Sequence, residues 1–356
     1  MTARDRYFRE LWEGKRCRAG DKLLVALLIP CAFLYGVVLR LRAYFYARRI
    51  LAAHRLAAPV VSVGNLSVGG TGKTPMAMYL ARLFIERGKR VALLSRGYGG
   101  AGGDAVRVVS DGSRLLLSPA EAGDEPVLLA RSVPGLIVVT GSDRYRAGLE
   151  AFERFQPDIF LLDDGYQHLR LKRDINILLL DAVRPFGNGW TLPAGLLREP
   201  LSAVRRADFI VWTRSGRETR CPDISGIPTF RSTHRLSGVV PLSGGNPASL
   251  AILQGKKGVA FAGIADPEAF FCDLIGEGLE LSATLAFRDH CRYDEEERAA
   301  IRHAVTVQGA DYLITTEKDA VKLSVDFDIS IAAYATVLAL EISDAGRLEA
   351  ALEKLL

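Results

Sequence analysis

A glycine-rich segment behind a short apolar run constrains this chain more than any other feature. The run Val60–Val63 leads directly into Gly64–Pro75, which reads GNLSVGGTGKTP. The core of this segment matches the pattern G-x-x-x-x-G-K-[ST], with Ser67 in place of the first glycine. An ordinary glycine-rich turn with a surface lysine is the alternative. The position between a predicted strand and a predicted helix favours a loop that binds the phosphates of a nucleotide.

Each residue type in this phosphate loop, Ser67–Thr74, has a physical role. Glycines let backbone N–H groups curl around phosphate oxygens, Lys73 reaches the terminal phosphates, and Thr74 offers a hydroxyl to Mg²⁺. The predicted nucleotide-binding residues are therefore Ser67, Val68, Gly69, Gly70, Thr71, Gly72, Lys73 and Thr74.

From residue 59 onward, short aliphatic runs alternate with amphipathic stretches. Several runs are apolar throughout, as in parallel strands that helices cover on both faces, so we predict an α/β chain with a doubly wound, mostly parallel sheet of the P-loop NTPase type. The predicted strands are Val60–Val63, Val91–Ser95, Leu136–Thr140, Ile159–Leu162, Ile175–Leu180, Phe209–Thr213, Val259–Ala262, Tyr312–Thr315 and Val337–Ile342. The predicted helices include Pro75–Arg87, Arg144–Phe155, Pro267–Gly276 and Asp294–Gln308.

Length and composition bound the domain organisation. The chain has 356 residues, which suggests about two domains, and its 49% hydrophobic content excludes intrinsic disorder. The polar stretch 215–228 is the predicted linker between a nucleotide-binding domain, 57–214, and a smaller α/β domain, 229–356. Residues 1–56 form a separate basic and apolar segment. Five scattered cysteines without a C-x-x-C pattern disfavour a disulfide scaffold or a structural zinc site.

The amino-terminal segment carries all of the excess positive charge. Residues 1–55 contain 12 Lys/Arg and 4 Asp/Glu, whereas the rest of the chain contains 34 and 37. Within this segment Leu23–Leu39 has no charge and would reach about 25 Å as a helix, slightly less than a bilayer core of ~30 Å. A buried core helix, a membrane span and an interfacial anchor remain open, and we favour an anchor on an anionic cytoplasmic membrane surface. Nucleic acid is a weak rival explanation of the basic cluster.

Two carboxylates follow the predicted strand Ile159–Leu162, at the start of the run DDGYQH. An aspartate that ends an apolar strand is the usual second metal-side element of a P-loop NTPase. We predict that Asp163 lies on the metal side, directly or through water, and that Asp164 supports it. Adjacent carboxylates beside a buried strand repel each other, and a cation relieves that repulsion. A capping pair in a tight turn is the alternative.

Other polar motifs are less specific from chemistry alone. Gly123–Pro126 (GDEP) and Asp289-His290 are either solvated loop charge or the carboxylate and imidazole that phosphoryl transfer to a hydroxyl requires. Ser95–Gly100 (SRGYGG) follows a strand and could bring Arg96 to a charged substrate. The segment Leu197–Leu201 (LREPL) could be structural or could contact phosphate.

Together these blocks resemble the tetraacyldisaccharide 4'-kinase family, the lipid A 4'-kinases of Gram-negative bacteria. They cover nearly the whole chain in the family's order, and Cys291 stands where many relatives have a second histidine. The matching blocks are Val63–Pro75, Ser95–Gly100, Gly123–Pro126, Asp163–His168, Phe186–Leu201, Phe287–Tyr293 and Thr315–Leu323.

The resemblance implies ATP- and Mg²⁺-dependent phosphorylation of the 4'-hydroxyl of an acylated glucosamine disaccharide 1-phosphate, in lipid A biosynthesis at the inner membrane. It also implies a membrane-associated amino-terminal helix and two α/β domains that close over the nucleotide. Asp124 resembles the family's catalytic base and His290 the histidine paired with it, and Lys73 completes the predicted catalytic set. The predicted metal-side residues are Thr74, Asp163 and Asp164. The predicted substrate-side residues are Arg96, Tyr98, Arg144, Gln167, His168, Arg198 and Glu199.

A membrane-attached P-loop NTPase switch is the alternative function. Such a switch hydrolyses its nucleotide to drive a partner and needs no acceptor-sugar site. The sequence gives no sign of an obligate protein partner, and a lipid acceptor with four acyl chains would favour an enzyme that itself sits on the bilayer.

Overall fold

In a computed structural model of the chain, the described residues are 3–16, 18–97, 100, 105–215, 219, 221–224, 226–323 and 327–355. The chain forms two compact units. The larger comprises the residues up to Thr233 together with 340–356, and the smaller comprises 234–339.

A mostly parallel sheet forms the centre of the larger unit. Its strands are β1 (Val60–Asn65), β2 (Val91–Ser95), β3 (Arg107–Asp111), β4 (Ile137–Thr140), β5 (Ile159–Leu162), β6 (Ile175–Asp181) and β7 (Phe209–Thr213). They lie in the order β7-β6-β1-β5-β2-β4-β3, and only β3 runs antiparallel to its neighbour. β1 pairs directly with β5, so the glycine-rich segment and the two aspartates follow adjacent strands.

Apolar side chains are buried on both faces of this sheet. Ala92 and Leu94 pack with Ala147 and Ala151 of a helix on one face, while the intervening Leu93 is equally buried on the other. This alternation is that of a sheet covered on both sides, which confirms the predicted fold class. The helices of this part of the chain are α1 (Ala3–Trp12), α2 (Ala19–Ala47), α3 (Lys73–Glu86), α4 (Pro119–Ala122), α5 (Asp124–Ser132) and α6 (Arg144–Phe155).

The smaller unit repeats the same architecture on a smaller scale. Its sheet consists of β8 (Thr229–Pro241), β9 (Lys257–Ala262), β10 (Glu280–Ala286), β11 (Tyr312–Thr315) and β12 (Ala332–Ile342), in the order β10-β9-β11-β12-β8. Its helices are α7 (Pro267–Gly276), α8 (Glu295–Gln308) and α9 (Glu317–Ala320). Separate apolar clusters, one with Phe270 of α7 and one with Ile301 of α8, cover the sheet.

The compact units differ from the predicted domain limits in two places. β8 and β12 are long strands, and the chain crosses between the units inside them, after Thr233 and after Ala339, rather than within 215–228. The last helix, α10 (Ala345–Leu355), belongs to the larger unit because Glu349 accepts a hydrogen bond from Tyr79 at 3.2 Å and pairs with Arg87 at 2.7 Å. The division into domains stays a prediction.

The apolar amino-terminal segment forms the single long helix α2, which continues through Pro30. It is the one helix of the described residues that is long and apolar enough to cross a membrane, with a mean hydropathy of 2.3. The larger unit contacts one narrow side of it, where Ala32 O accepts a 2.8 Å hydrogen bond from Thr191 and Gly36 is buried. Side chains such as Leu34 remain exposed, so α2 is not a core helix.

Gly64 of β1 generates a first prediction. A Cβ at this position would lie 2.6 Å from Tyr166 Cβ and 2.9 Å from Tyr166 N, so a Gly64→Ala variant must displace the turn that carries Asp163 and Asp164. We expect a loss of about 1–3 kcal/mol in the free energy of unfolding, measured by calorimetry. Gly346→Ala is the control, because nothing lies within 4 Å of its Cβ position. Equal stability of the two variants would contradict the close packing of this turn.

Candidate active site

The phosphate loop is held by the strand before it and by the segment 196–198. Asn65, the last residue of β1, donates a 2.7 Å hydrogen bond to the Thr71 hydroxyl. Val68 N donates to Leu196 O at 2.8 Å, and Ser67 forms an isolated bridge with Leu197. The tip of the loop, 68–70, remains exposed, so its backbone is accessible to a ligand.

Gly72 ends the loop and caps helix α3. Its φ of +77° lies in the left-handed region, which favours glycine. The helix begins at Lys73, two residues earlier than predicted, so Lys73 and Thr74 both lie in the first helical turn. The amino-terminal end of α3 therefore faces the loop, as the anion-binding interpretation requires.

Lys73 extends from this helix towards the aspartates that follow β5. Its ammonium lies 3.6 Å from Asp164 Oδ1 and donates to Asn65 Oδ1 at 3.4 Å. Arg198 also pairs with Asp164, at 2.9 and 2.7 Å to the two carboxylate oxygens. Burial would raise the pKa of Asp164, but Lys73 and Arg198 outweigh it, so the pKa is lowered and Asp164 stays ionised.

The neighbouring Asp163 has the opposite environment. Its side chain is 3% exposed, and among the described residues its Oδ1 atom has no hydrogen-bond partner. Burial, reinforced by the carboxylates of Glu125 and Asp164, raises the pKa of Asp163 to about 7. A buried carboxyl oxygen without a hydrogen-bond partner is unfavourable, and a bound cation would compensate for it.

Asp124 is the first residue of helix α5, and Gly123 precedes it with a φ of +92°. Its neighbour Glu125 is near enough to Asp163 to raise that residue's pKa, so the amino-terminal end of α5 lies beside the aspartates. The GDEP motif is therefore not solvated loop charge. It begins a helix at the same edge of the sheet as the phosphate loop.

Two predicted substrate residues, the buried Arg144 and the half-buried His168, lie near each other at this edge. Arg144 begins α6, is 5% exposed and donates to Gly141 O at 3.0 Å. Burial lowers its pKa to about 10, with Asp163 among the charges that act on it. Burial and the charge of Arg144 lower the pKa of His168 to about 4, so His168 is neutral near pH 7. Arg96 follows β2, is exposed and acts electrostatically on Arg144.

The remaining substrate-side predictions have structural contacts of their own. Gln167 donates to Asn65 O at 2.8 Å, which ties the DDGYQH turn to β1. Arg198 holds Asp164, as described above, and the buried Glu199 pairs with Arg206. Tyr98 lies outside the described residues, so its predicted role has no structural account.

His290 belongs to the smaller unit, in the segment between β10 and α8. It adopts a left-handed φ of +58°, and its backbone N–H donates to Gly263 O at 3.2 Å. Its Nε2 lies 3.5 Å from Lys318 Nζ, which also lies 3.5 Å from Asp289. The adjacent Cys291 is buried in the core of this unit, so its side chain has a packing role.

A buried ion pair supports the segment around His290. Asp319 is fully buried, pairs with Lys322 at 2.9 Å and accepts a 2.9 Å hydrogen bond from Gly263 N. Because Gly263 O also accepts from His290 N, the block Thr315–Leu323, which contains Asp319 and Lys322, acts here as a scaffold for this segment.

The donor set fits Mg²⁺ rather than a metal held by the protein alone. Within the described residues, no group of three or more His, Cys, Asp or Glu side chains could hold a metal ion. Mg²⁺ is usually bound by one or two carboxylates together with substrate phosphates and water. The unpartnered Asp163 oxygen, with Asp164 and Thr74 nearby in the fold, meets that requirement.

Three residues of this arrangement are absent from the predicted set. Asn65 anchors both Lys73 and Thr71, Glu125 acts on Asp163, and Arg173 donates to the carbonyls of Gly165 and Tyr166 at 3.2 and 3.1 Å. Asn65 lies inside the segment Gly64–Pro75 and Glu125 inside Gly123–Pro126, so their positions in these motifs could have identified them as site residues. Arg173 carries no sequence signal.

Comparison with known proteins agrees with this geometry. The tetraacyldisaccharide-1-P 4'-kinase family matches residues 24–356. The tetraacyldisaccharide 4'-kinase of Geobacter sulfurreducens is 56% identical over 98% of this chain and 99% of its own length. This chain belongs to the tetraacyldisaccharide 4'-kinase family.

Two further relatives extend the comparison. The tetraacyldisaccharide 4'-kinase of Geobacter metallireducens is 54% identical over 94% of this chain and 99% of its own. The crystal structure of the "apo" form of LpxK from Aquifex aeolicus, in complex with ATP, superposes with a TM-score of 0.80 at 35% identity. It covers 93% of this chain and 99% of the Aquifex chain. The fold of the kinase family therefore extends over nearly the whole molecule.

The raised pKa of Asp163 predicts a pH-dependent stability in the absence of metal and nucleotide. The folded protein binds this proton more tightly than the unfolded chain does, so ionising Asp163 destabilises the fold as the pH rises from about 4 to about 7. An Asp163→Asn variant avoids that penalty. We expect its stability advantage over the parent to grow by about 3 kcal/mol between pH 5 and pH 8 in EDTA, measured by denaturant unfolding.

Asp164→Asn is the matched control. Cationic partners lower the pKa of Asp164 in the parent, so its ionised carboxylate stabilises the fold at both pH values. The Asp164→Asn variant should therefore lose stability at pH 5 and at pH 8 alike. An advantage of Asp163→Asn that does not change with pH would contradict the isolated burial of Asp163.

Proposed function

We propose that this protein is an ATP-dependent kinase that phosphorylates the 4'-hydroxyl of a tetraacylated glucosamine disaccharide 1-phosphate in lipid A biosynthesis. The observation that carries this proposal is the phosphate loop beside the Lys73–Asp164 pair and the unpartnered Asp163, in a chain that matches the kinase family over residues 24–356. ATP is the predicted donor, since the Aquifex relative is described as a complex with ATP.

The loop and helix α3 position the triphosphate. The exposed backbone of Gly69 and Gly70 and the first turn of α3 supply N–H groups to the phosphate oxygens. Lys73 is already oriented by Asn65 and Asp164, so little ordering is required when it contacts the γ-phosphate. Positioned charge of this kind is the main catalytic contribution in phosphoryl transfer.

The aspartates after β5 are the proposed metal-side residues. Asp163, Asp164 and Thr74 would hold Mg²⁺, which when bound neutralises charge on the β- and γ-phosphates. Asp164 stays ionised through Lys73 and Arg198, while Asp163 is poised near pH 7 to lose its proton. The pair thus combines one carboxylate that stays ionised, Asp164, with one whose protonation state changes near pH 7, Asp163.

Asp124 is the proposed general base. It accepts the proton of the 4'-hydroxyl while that oxygen attacks the γ-phosphorus and the bond from the γ-phosphorus to the bridging oxygen of ADP breaks. Its place at the start of α5, next to Glu125, supports this role. His290, in the smaller unit, is the proposed partner of the base, on the strength of the family resemblance.

The acceptor lipid would lie near the basic residues at the same edge. Arg96, Arg144 and Arg198 offer positive charge, and the neutral His168 and Gln167 offer hydrogen bonds. We propose these side chains, with Glu199 in a supporting role, for the sugar and its phosphate.

Membrane attachment through α2 completes the proposal. The helix contacts the larger unit along one side and exposes apolar side chains along another, with arginines at its carboxyl-terminal end. An anchor on the anionic cytoplasmic surface of the inner membrane would keep the enzyme beside an acceptor that does not leave the bilayer. No nucleic acid or obligate protein partner enters this proposal.

Replacement of Asp124 tests the catalytic assignment. With γ-labelled ATP and the acylated disaccharide 1-phosphate, an Asp124→Asn variant should transfer label to lipid at least ~100-fold more slowly than the parent, because the base is lost. Its affinity for ATP should be unchanged. Asp328→Asn, a change at an exposed aspartate of the other unit, is the control. Near-normal transfer would refute the assignment, and label released by the parent only as free phosphate would favour the NTPase switch.

Charge on the exposed face of α2 tests the anchor. Leu34 and Val38 are 64% and 53% exposed, so glutamates there should fold normally yet oppose insertion by about 3 kcal/mol each. The double variant should no longer float with anionic liposomes. Glutamates at Leu149 and Val307, which are exposed apolar positions outside α2, form the control. Flotation of both variants would exclude α2 as the anchor.

A further inference from the structure

A cavity lies where the membrane helix ends. It measures about 530 Å³, is open to solvent, and is lined by the last turn of α2, the segment that follows this helix, the segment 169–174 and Arg206. We refer to it as the helix-end cavity. Its charged lining residues are Arg49, Arg55, Lys172, Arg173, Arg206 and Asp174.

The charges of the helix-end cavity are strongly unbalanced, with five cations and one carboxylate. Two of these cations have carboxylate partners, because Arg55 pairs with Asp174 at 2.6 Å and Arg206 pairs with Glu199. Arg49, Lys172 and Arg173 have no carboxylate partner among the described residues, and burial lowers the pKa of Arg173 to about 10. Three such cations around one partly buried site favour an anionic ligand.

The surroundings of the cavity are those of a bilayer surface. Leu51 lines it and is 39% exposed, and Phe45 and Ile50 beside it are 38% and 65% exposed. These side chains continue the exposed apolar face of α2. A ligand with an anionic head and acyl chains would place its head among the arginines and its chains along this face. Basic pockets next to membrane helices bind phospholipid headgroups in this way.

The cavity is separate from the site of phosphoryl transfer. Asp174 contacts the first residue of β1, whereas the phosphate loop follows the last, and the six residues of this strand span about 20 Å. A disaccharide acceptor bound at the loop is too short to place its 1-phosphate near Asp174.

The arginines of the cavity nevertheless contact the turn that carries the catalytic aspartates. Arg173 donates to the carbonyls of Gly165 and Tyr166, and the Arg206 guanidinium lies 4.8 Å from the centre of the Tyr166 ring. An anion bound by Arg173 would hold its guanidinium against the carbonyls of Gly165 and Tyr166 and so stabilise the turn next to Asp163 and Asp164.

We propose that the helix-end cavity binds the phosphodiester headgroup of an anionic membrane phospholipid, and that its occupancy increases kinase turnover. The effect on turnover rests on the proposed kinase function, whereas the binding of the lipid does not.

Paired charge reversals test this site. Arg49→Glu with Lys172→Glu changes two exposed cations of the cavity. Arg40→Glu, in α2, with Arg48→Glu, directly after α2, makes the same change in charge at exposed positions that do not line the cavity. The full-length proteins are held in neutral detergent micelles that contain phosphatidylcholine or phosphatidylglycerol. Bound lipid is counted by native mass spectrometry, and label transfer gives kcat and KM for the acceptor.

The parent and the control should retain phosphatidylglycerol and turn over faster with it, while the cavity variant should bind it at least about tenfold more weakly. The cavity variant should also lose the stimulation and keep its rate in phosphatidylcholine. An equal loss of phosphatidylglycerol binding in both variants would mean that the lipid responds to diffuse surface charge rather than to the cavity. That result would overturn the proposal, as would a parent that binds no phosphatidylglycerol. A raised KM of the cavity variant in neutral micelles would instead assign the cavity to the acceptor's phosphate. Lipid binding without any label transfer would leave the site in place and refute the kinase function.

Discussion

The candidate active site depends on two adjacent aspartates whose environments are opposite. Asp164 is neutralised by Lys73 and Arg198, whereas Asp163 is buried and, among the described residues, its Oδ1 atom has no hydrogen-bond partner. The fold tolerates this unfavourable carboxyl because β1 and β5 are paired and the turn after β5 packs tightly against Gly64. The protein thus holds, beside its phosphate loop, a buried carboxyl oxygen that lacks a hydrogen-bond partner. Such an oxygen is suited to bind a cation together with a nucleotide.

Much of the fold could be predicted because buried parallel strands are apolar throughout. All nine predicted strands are present; eight differ from the prediction by at most two residues at an end, whereas β12 begins five residues earlier, at Ala332. β3, β8 and β10 lack that pattern: β3 is a short antiparallel edge strand, β8 mixes buried and exposed residues, and β10 has no fully buried residue. Composition does not show that the chain passes from one compact unit to the other inside β8 and β12, nor that α10 contacts α3.

The candidate site, like the fold, could be predicted from the sequence only in part. Lys73 and Asp163 could be predicted from the sequence, because each lies in a short motif whose residues are close together along the chain. Residues that orient them through tertiary contacts are not, since the Arg198–Asp164 pair and the Arg173 contacts bring together segments that no local pattern connects. The same limit applies to α2, whose sequence shows a long apolar helix but not which side contacts Thr191.

We propose that Lys73, held between Asn65 and Asp164, contacts a triphosphate whose terminal phosphoryl group passes to a lipid-linked sugar. A Lys73→Met variant whose thermal unfolding midpoint matches that of the parent tests this role through label transfer from γ-labelled ATP to the acylated disaccharide. We expect no label above background in the lipid. Product formed at the parental rate would refute the role of Lys73.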